Sequence, residues 1–226
     1  MSKTREAIKI LFPLTKNAEA VEAIIEQYRS KFGLGTDLRL MHFLAQAREE
    51  TGPEFKVIRE NLNYKEETVL KMWPNRISVE QAEKYARDEN TPKANQEAIA
   101  NLAYANRLGN GKADSDNDGD MDKDDDGYKY RGAGCLQITG KGNFAEVQKR
   151  CVKYAGREMD PDTLEGFIVF GFGFWIWQDI YRIADEGIYD YVVDKVTAKI
   201  NKYTHSYSSR RAHFNSILHL IEEVKL

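Results

Sequence analysis

GFIVFGFGFWIW, residues 166–177, is the most apolar stretch of a 226-residue chain, and it carries three glycines. Its twelve residues, at ~1.5 Å of helical rise each, fall far short of the ~30 Å hydrocarbon core of a bilayer. A membrane span is therefore excluded. The stretch predicts a central helix buried on all sides, the arrangement that an all-apolar helix demands in a soluble protein.

On both sides of this stretch the patterns are helical. Asn17 stands where a cap would open AEAVEAIIEQYRSKF, whose Ala20, Val21, Ile24, Ile25 and Tyr28 recur at helical spacing before Gly33 and Gly35. Thr36 opens DLRLMHFLAQAREE, which Gly52-Pro53 stops. Ser78 and Gln81 form a capping box for VEQAEKYAR, and Asn95 starts QEAIANLAYANRL, which runs to Gly109. Further helices are predicted over 144–154, 163–183, 191–200 and from 208 to the C-terminus. No alternating run calls for a large sheet, although residues 128–138 leave room for one small β-hairpin. No linker and no repeat divides the chain. The expected fold is all-α, as a single domain over 1–226 with a catalytic groove.

Composition fits a soluble enzyme, with 42% hydrophobic and 31% charged residues. Cys135 and Cys151 have no metal-type spacing and read as buried, reduced thiols. The N-terminal MSKTREAIKILFPLTKNAEA lacks the long apolar core of a secretory signal, so cytoplasmic synthesis and residence are expected. The net charge of −3 is segregated: residues 114–126 hold eight aspartates and one lysine, leaving the remainder at +4. Mild basicity suits an anionic polymer such as a bacterial wall. It lacks the concentrated basic stripe of a nucleic-acid binder, so no nucleic-acid partner is expected.

The acidic segment DSDNDGDMDKDD fits a twelve-residue calcium loop. Asp114, Asp116 and Asp118 take positions one, three and five, with Gly119 at the turn position six. Asp120 would offer its carbonyl at seven, Asp122 would act at nine, and Asp125 would close the site at twelve. Mutual repulsion among these carboxylates is relieved by a hard cation with six to eight oxygen ligands. Position twelve is Asp where Glu is usual, and the flanks are not two pairing helices. The expected role of calcium is structural, with no metal in the chemistry.

Two further stretches carry candidate chemistry, residues 41–64 (MHFLAQAREETGPEFKVIRENLNY) and 128–144 (YKYRGAGCLQITGKGNF). The first puts Glu49 and Glu50 at a helix end and Glu60 ten residues beyond Glu50, across a Gly-Pro turn. The second is punctuated by glycines and offers Gln137, Thr139 and Asn143 to sugar hydroxyls. Among 36 acidic residues, spacing alone makes such a glutamate pair ordinary surface.

Together these motifs resemble the family 19 glycoside hydrolases, the chitinase-like group that includes many phage endolysins. The similarity continues through IANLAYANRLGNG (99–111) and FWIWQDIYRIADEGIYDYVVDKVTAKIN (174–201), in order, from about residue 38 onward. The resemblance implies a lysozyme-like fold and inversion at the anomeric carbon. It makes Glu50 the general acid and Glu60 the general base, with Thr139 holding the attacking water. Gln137, Asn143, Tyr130 and Asn201 would line the sugar groove, Arg210 would support it, and Trp73 would offer a platform. An apolar neighbour such as Phe55 or Trp73 would keep the acid protonated.

The chain departs from the family pattern at Glu49, where histidine precedes the acid, and at Ala133, where Gly-Arg-Gly has its arginine. Glu54 reads as an insertion, and Arg131 or Lys129 stands near enough in sequence to replace the lost charge. The implied activity is hydrolysis of peptidoglycan strands by a monomeric endolysin with no stable membrane insertion. It would wait in the host cytoplasm until holin-dependent release to the periplasm and wall. Two alternatives are a chitinase of the same fold and a non-catalytic glycan-binding domain.

Overall fold

The computed structural model describes residues 1–221. Its α-helices are α1 (Lys3–Leu11), α2 (Ala18–Tyr28), α3 (Asp37–Thr51), α4 (Glu66–Met72), α5 (Val79–Tyr85), α6 (Gln96–Tyr104), α7 (Asp126–Lys129), α8 (Lys141–Ala155), α9 (Leu164–Trp177), α10 (Ile180–Ala184), α11 (Asp190–Asn201) and α12 (Tyr207–Ile217). Short 3₁₀ turns follow α2 and α12. No β-sheet occurs among the described residues, so the fold is all-α. The space for a hairpin is taken by α7 and by a single antiparallel bridge, Ala133 to Ile138.

The chain gathers into two compact units. The first comprises Met1–Ile58, Gly134–Gln137 and Glu146–Leu226, and the second Arg59–Ala133 with Ile138–Ala145. In the first unit, α9 is capped by Thr163, whose hydroxyl accepts from the Gly166 amide, and is buried continuously from Gly166 to Gly173. Its glycines have a packing cause. A Cβ at Gly166 would lie 1.8 Å from the Asp160 carbonyl oxygen, and one at Gly171 would lie 2.3 Å from Cys135 Sγ and 3.3 Å from the Phe43 ring. Helix α3 is nearly as enclosed, with Leu40 to Ala47 all buried, and α12 packs against it. None of the described helices is long and apolar enough to cross a membrane.

The second unit has its own core. Leu62, Val69, Trp73, Ile77, Ala82 and Ile99 are buried together with a run of alanines. Gly127 lets α7 press on α6, since a Cβ there would sit 2.5 Å from the Asn101 backbone.

Local chemistry explains which helix ends were predictable. Thr36, Ser78 and Asn95 accept the backbone amides of Arg39, Gln81 and Ala98, and Ser78 with Gln81 completes both bonds of its capping box. Asn17 makes no such bond. The helix from Asn95 stops at Tyr104, because Asn106 and Leu108 take left-handed φ values of 54°. The predicted helix over 163–183 is two, α9 and α10, broken at Asp179 with φ 53°. Helix α1, unforeseen in the sequence, is capped by Ser2. The last predicted helix covers 207–217 and a 3₁₀ turn; residues 222–226 lie outside the described ones.

His42, at no exposure within α3, donates from Nε2 to the Gly187 carbonyl (2.9 Å) and stacks on Phe214 at 4.2 Å, while its Nδ1 has no partner. Burial pushes its pKa down to about 4. Neutral imidazole is thus favoured in the folded chain, and the unfolded chain binds the extra proton between about pH 6.5 and 4. This contribution is complete above that window and is lost as pH falls through it, by about 3 kcal/mol. Chemical denaturation at pH 7 and pH 4.5 should show a smaller pH-dependent loss in His42→Gln than in wild type. Gly171→Ala should cost about 1–3 kcal/mol by overpacking. Adding Cys135→Ala should recover part of that cost, giving a double variant more stable than the two single losses combined.

Candidate functional site

The expected acid lies on the last turn of α3, which Gly52 ends with φ 69°. Adjacent on that turn, Glu49 and Glu50 each meet a residue of α12. Arg210 Nη2 donates to Glu50 Oε1 at 2.5 Å, and His213 Nε2 lies 3.2 Å from Glu49 Oε2. Arg210 and His213 are three apart, one turn of helix, so a single face of α12 addresses both carboxylates. Burial, then the charge of Arg48, holds the His213 ring below the ordinary histidine range against the pull of Glu49. At neutral pH that contact is a hydrogen bond rather than an ion pair.

Arg210 is only 2% exposed, and two more of its donors are answered. Nη1 donates to Gln46 Oε1 (2.8 Å) and Nε to Ser206 Oγ (2.9 Å). In the same unit, Gln137 sits at φ 49° in the turn 134–137 and donates Nε2 to the Gly134 carbonyl. Asn201, at the end of α11, is exposed. Phe55 is buried against Phe12 and Phe167.

The expected base belongs to the second unit. Glu60 accepts from the Tyr104 hydroxyl (2.6 Å) and from the Gly132 amide (3.1 Å), while its own amide donates to the Gly132 carbonyl (2.9 Å). Burial first, then the negative charge of Glu60, raises the Tyr104 pKa far above its ordinary value, so the phenol stays a donor. Tyr64 is raised for the same two reasons, in the same order. Thr139, Asn143 and Tyr130 are neighbours. Asn143 Nδ2 donates to the Thr139 carbonyl (2.8 Å), the Gly140 amide donates to the Tyr130 carbonyl (2.7 Å), and the Tyr130 ring meets Phe144 edge-on at 5.3 Å.

Trp73 does not offer a platform. It is 7% exposed in the second core, with Tyr104 edge-on and Tyr64 tilted against it. At position 133 the alanine is fully buried and exchanges both backbone hydrogen bonds with Ile138. Arg131 lies over the Tyr128 ring at 3.7 Å and donates to the Tyr128 carbonyl.

The acidic loop forms two carboxylate clusters, Asp114 with Asp116 and Asp118, and Asp118 with Asp120 and Asp122. Gly119 takes φ 103°, as the tight turn at position six requires. Asp120, expected to serve through its carbonyl, contributes its side chain to the second cluster. Asp125 lies outside both, because its oxygens are committed elsewhere. They accept from the Ser115 amide and hydroxyl, the Asp122 amide (3.1 Å) and Asn101 Nδ2 (3.4 Å), which pins the loop's end to α6. Asp126 is likewise anchored, by the Gly111 amide and Lys141. Asp114 Oδ1 is buried with no hydrogen-bond partner. The charge of Asp118, followed by partial desolvation and the charges of Asp122 and Asp116, raises the carboxyl pKa of Asp120. An orphaned oxygen among mutually repelling carboxylates fits a hard cation. An open cavity of about 910 Å³ borders this loop, lined by Asp114, Asp120, Asp122, Tyr85 and Glu97. None of the expected catalytic residues lines it, so its size says nothing about the chemistry at Glu50 or Glu60.

Two participants escaped the sequence reading. Tyr104 lies within the motif at 99–111, and Gln46 is the lone amide in the buried run Leu40 to Ala47. The polar interruption of an apolar run was the available signal for Gln46.

A protein of Haemophilus influenzae named "Glycosyl hydrolase family 19 domain-containing protein" is 35% identical over 189 residues, covering 81% of this chain and 78% of that relative. No family model matches the chain.

Proposed function

The chain belongs to glycosyl hydrolase family 19, and from that premise we propose that it is an endolysin that hydrolyses the glycan strands of bacterial peptidoglycan. The observation that carries the reading is the fixed setting of two glutamates. Glu50 is held by a buried guanidinium, and Glu60 by a phenol and a backbone amide. In an inverting hydrolase one carboxyl group protonates the glycosidic oxygen while the other takes a proton from water on the opposite face of the sugar. Glu50 is the acid in this proposal and Glu60 the base, with Thr139 sharing the water.

Arg210 orients Glu50 through a charge-assisted bond, and Tyr104 with Gly132 orients the Glu60 carboxylate toward its water. Gln137, Asn143, Tyr130 and Asn201 supply the donors, acceptors and ring surface that a chain of N-acetylated sugars needs. The remaining residues outside 114–126 carry +4, which suits an anionic wall. In this reading the monomeric enzyme stays in the host cytoplasm until holin-dependent release brings it to the wall.

Calcium belongs to the same proposal. Asp114, Asp116, Asp118, Asp120 and Asp122 would hold the ion, while Asp125 braces the loop from behind. The ion supplies charge neutralisation and fixes the turn, and no chemical step passes through it.

A lysis assay on purified peptidoglycan, with mass analysis of fragments, tests the reaction. Wild type should release new reducing-end sugars. Glu50→Gln and Glu60→Gln should lower turnover by about 10²-fold or more, with substrate binding retained. New amino termini without reducing ends would sink the glycosidase reading. For calcium, thermal unfolding with the ion at about 100 times its Kd should give about 2.7 kcal/mol more stability than with chelator. Asp114→Asn should shrink that difference; an unchanged melting point in wild type would remove calcium from the account.

A further inference from the structure

We propose that Gln46 is a positioning residue for the reaction: its neutral amide holds Arg210 on Glu50 without drawing on the charge of the guanidinium. The inference rests on the reading of Glu50 as the general acid.

Gln46 is fully buried one helical turn before Glu50, so both side chains project from the same side of α3. Its amide lies between Thr197 and Arg210, and the shorter contacts set its orientation. Nε2 faces Thr197 Oγ1 at 3.1 Å, and the hydroxyl of Thr197, also fully buried, lies 2.9 Å from the Val193 carbonyl and 3.4 Å from Gln46 Oε1, so the closer carbonyl takes its proton. With its proton so placed, the Thr197 oxygen accepts from the Gln46 amide nitrogen. The amide oxygen is thereby turned to Arg210 Nη1.

The guanidinium is a planar fork. Ser206 takes Nε, Gln46 takes Nη1 and Glu50 takes Nη2, so its plane and its azimuth are both fixed. Two of these acceptors are neutral, which leaves the carboxylate of Glu50 as the acceptor that meets its full charge. Glutamate fits the space of glutamine almost atom for atom, yet it would place a second carboxylate on Arg210 and divide that charge. Methionine keeps the volume and removes the acceptor, leaving a buried N–H unanswered and the fork free to turn. His213, Arg48 and Glu49 also face this end of α3, and the variants leave all three in place.

The test compares wild type with Gln46→Glu, Gln46→Met and Thr197→Val on purified peptidoglycan, together with a carbon-13 NMR titration of the Glu50 carboxyl. In Gln46→Glu the alkaline limb of the kcat profile, which a general acid sets, should move up by about one pH unit, and the Glu50 titration should move with it. Gln46→Met should lower kcat about tenfold or more with KM nearly unchanged. Thr197→Val, which frees the amide to flip, should fall between Gln46→Met and wild type. If the variants change only the melting temperature, leaving the titration, kcat and pH profile as in wild type, the inference is overturned. If wild type releases no reducing ends but the Glu50 titration still moves in Gln46→Glu, the network stands and the glycosidase reading fails.

Discussion

Helix α9 has no polar face. Past Glu165, which accepts from Tyr28 and Arg157 at the helix start, its side chains meet the first unit through apolar contact, and the distance of approach is set by where a side chain is missing. At Gly166 the helix start comes down on the Asp160 carbonyl, and at Gly171 its middle receives Cys135 Sγ beside the Phe43 ring. Interiors pack at near-crystal density, so a single added methyl at either point displaces a partner rather than filling space. Phe43 belongs to α3 and forms edge contacts with Phe172 and Trp175. The position of α3 follows from that docking, and so does the place where its last turn puts Glu49 and Glu50.

A second constraint is electrostatic. A guanidinium at 2% exposure requires acceptors for its donors, and the sequence supplies Ser206 and Gln46 alongside Glu50. Glu60 is held by uncharged donors, a phenol kept protonated by burial and a backbone amide. The two carboxylates thus have chemically unlike surroundings, one facing a cation and the other facing neutral dipoles.

Much of this was readable from residues alone because the causes are local. A Ser-x-x-Gln capping box, a threonine before an apolar-periodic run and a glycine at the sixth place of an acidic loop each act through bonds within a few residues. The all-α class and the family followed from apolar periodicity and from motifs in order. What was misread depends on distant partners. Trp73 has the same neighbours in sequence whether it faces sugar or core, and the packing of Tyr64 and Tyr104 decides it. Asp125 holds the ligand register of the loop, yet Ser115 and Asn101 reach its oxygens. Asp179 breaks the 163–183 helix in a conformation that aspartate tolerates without announcing it.

The first unit is discontinuous, since its pieces 1–58, 134–137 and 146–226 are separated by nearly all of the second. Helices α1 to α3 leave the ribosome with apolar faces whose partner, α9, begins more than a hundred residues later. The second unit needs only shorter loop closures, and its core can consolidate while α3 still waits. Until α9 is made, Phe43 lacks the Phe172 and Trp175 rings it packs on in the folded chain. Arg210 comes last of the Glu50 network in chain order, so the buried ion pair closes only after Gln46, Glu50, Thr197 and Ser206 have all been made.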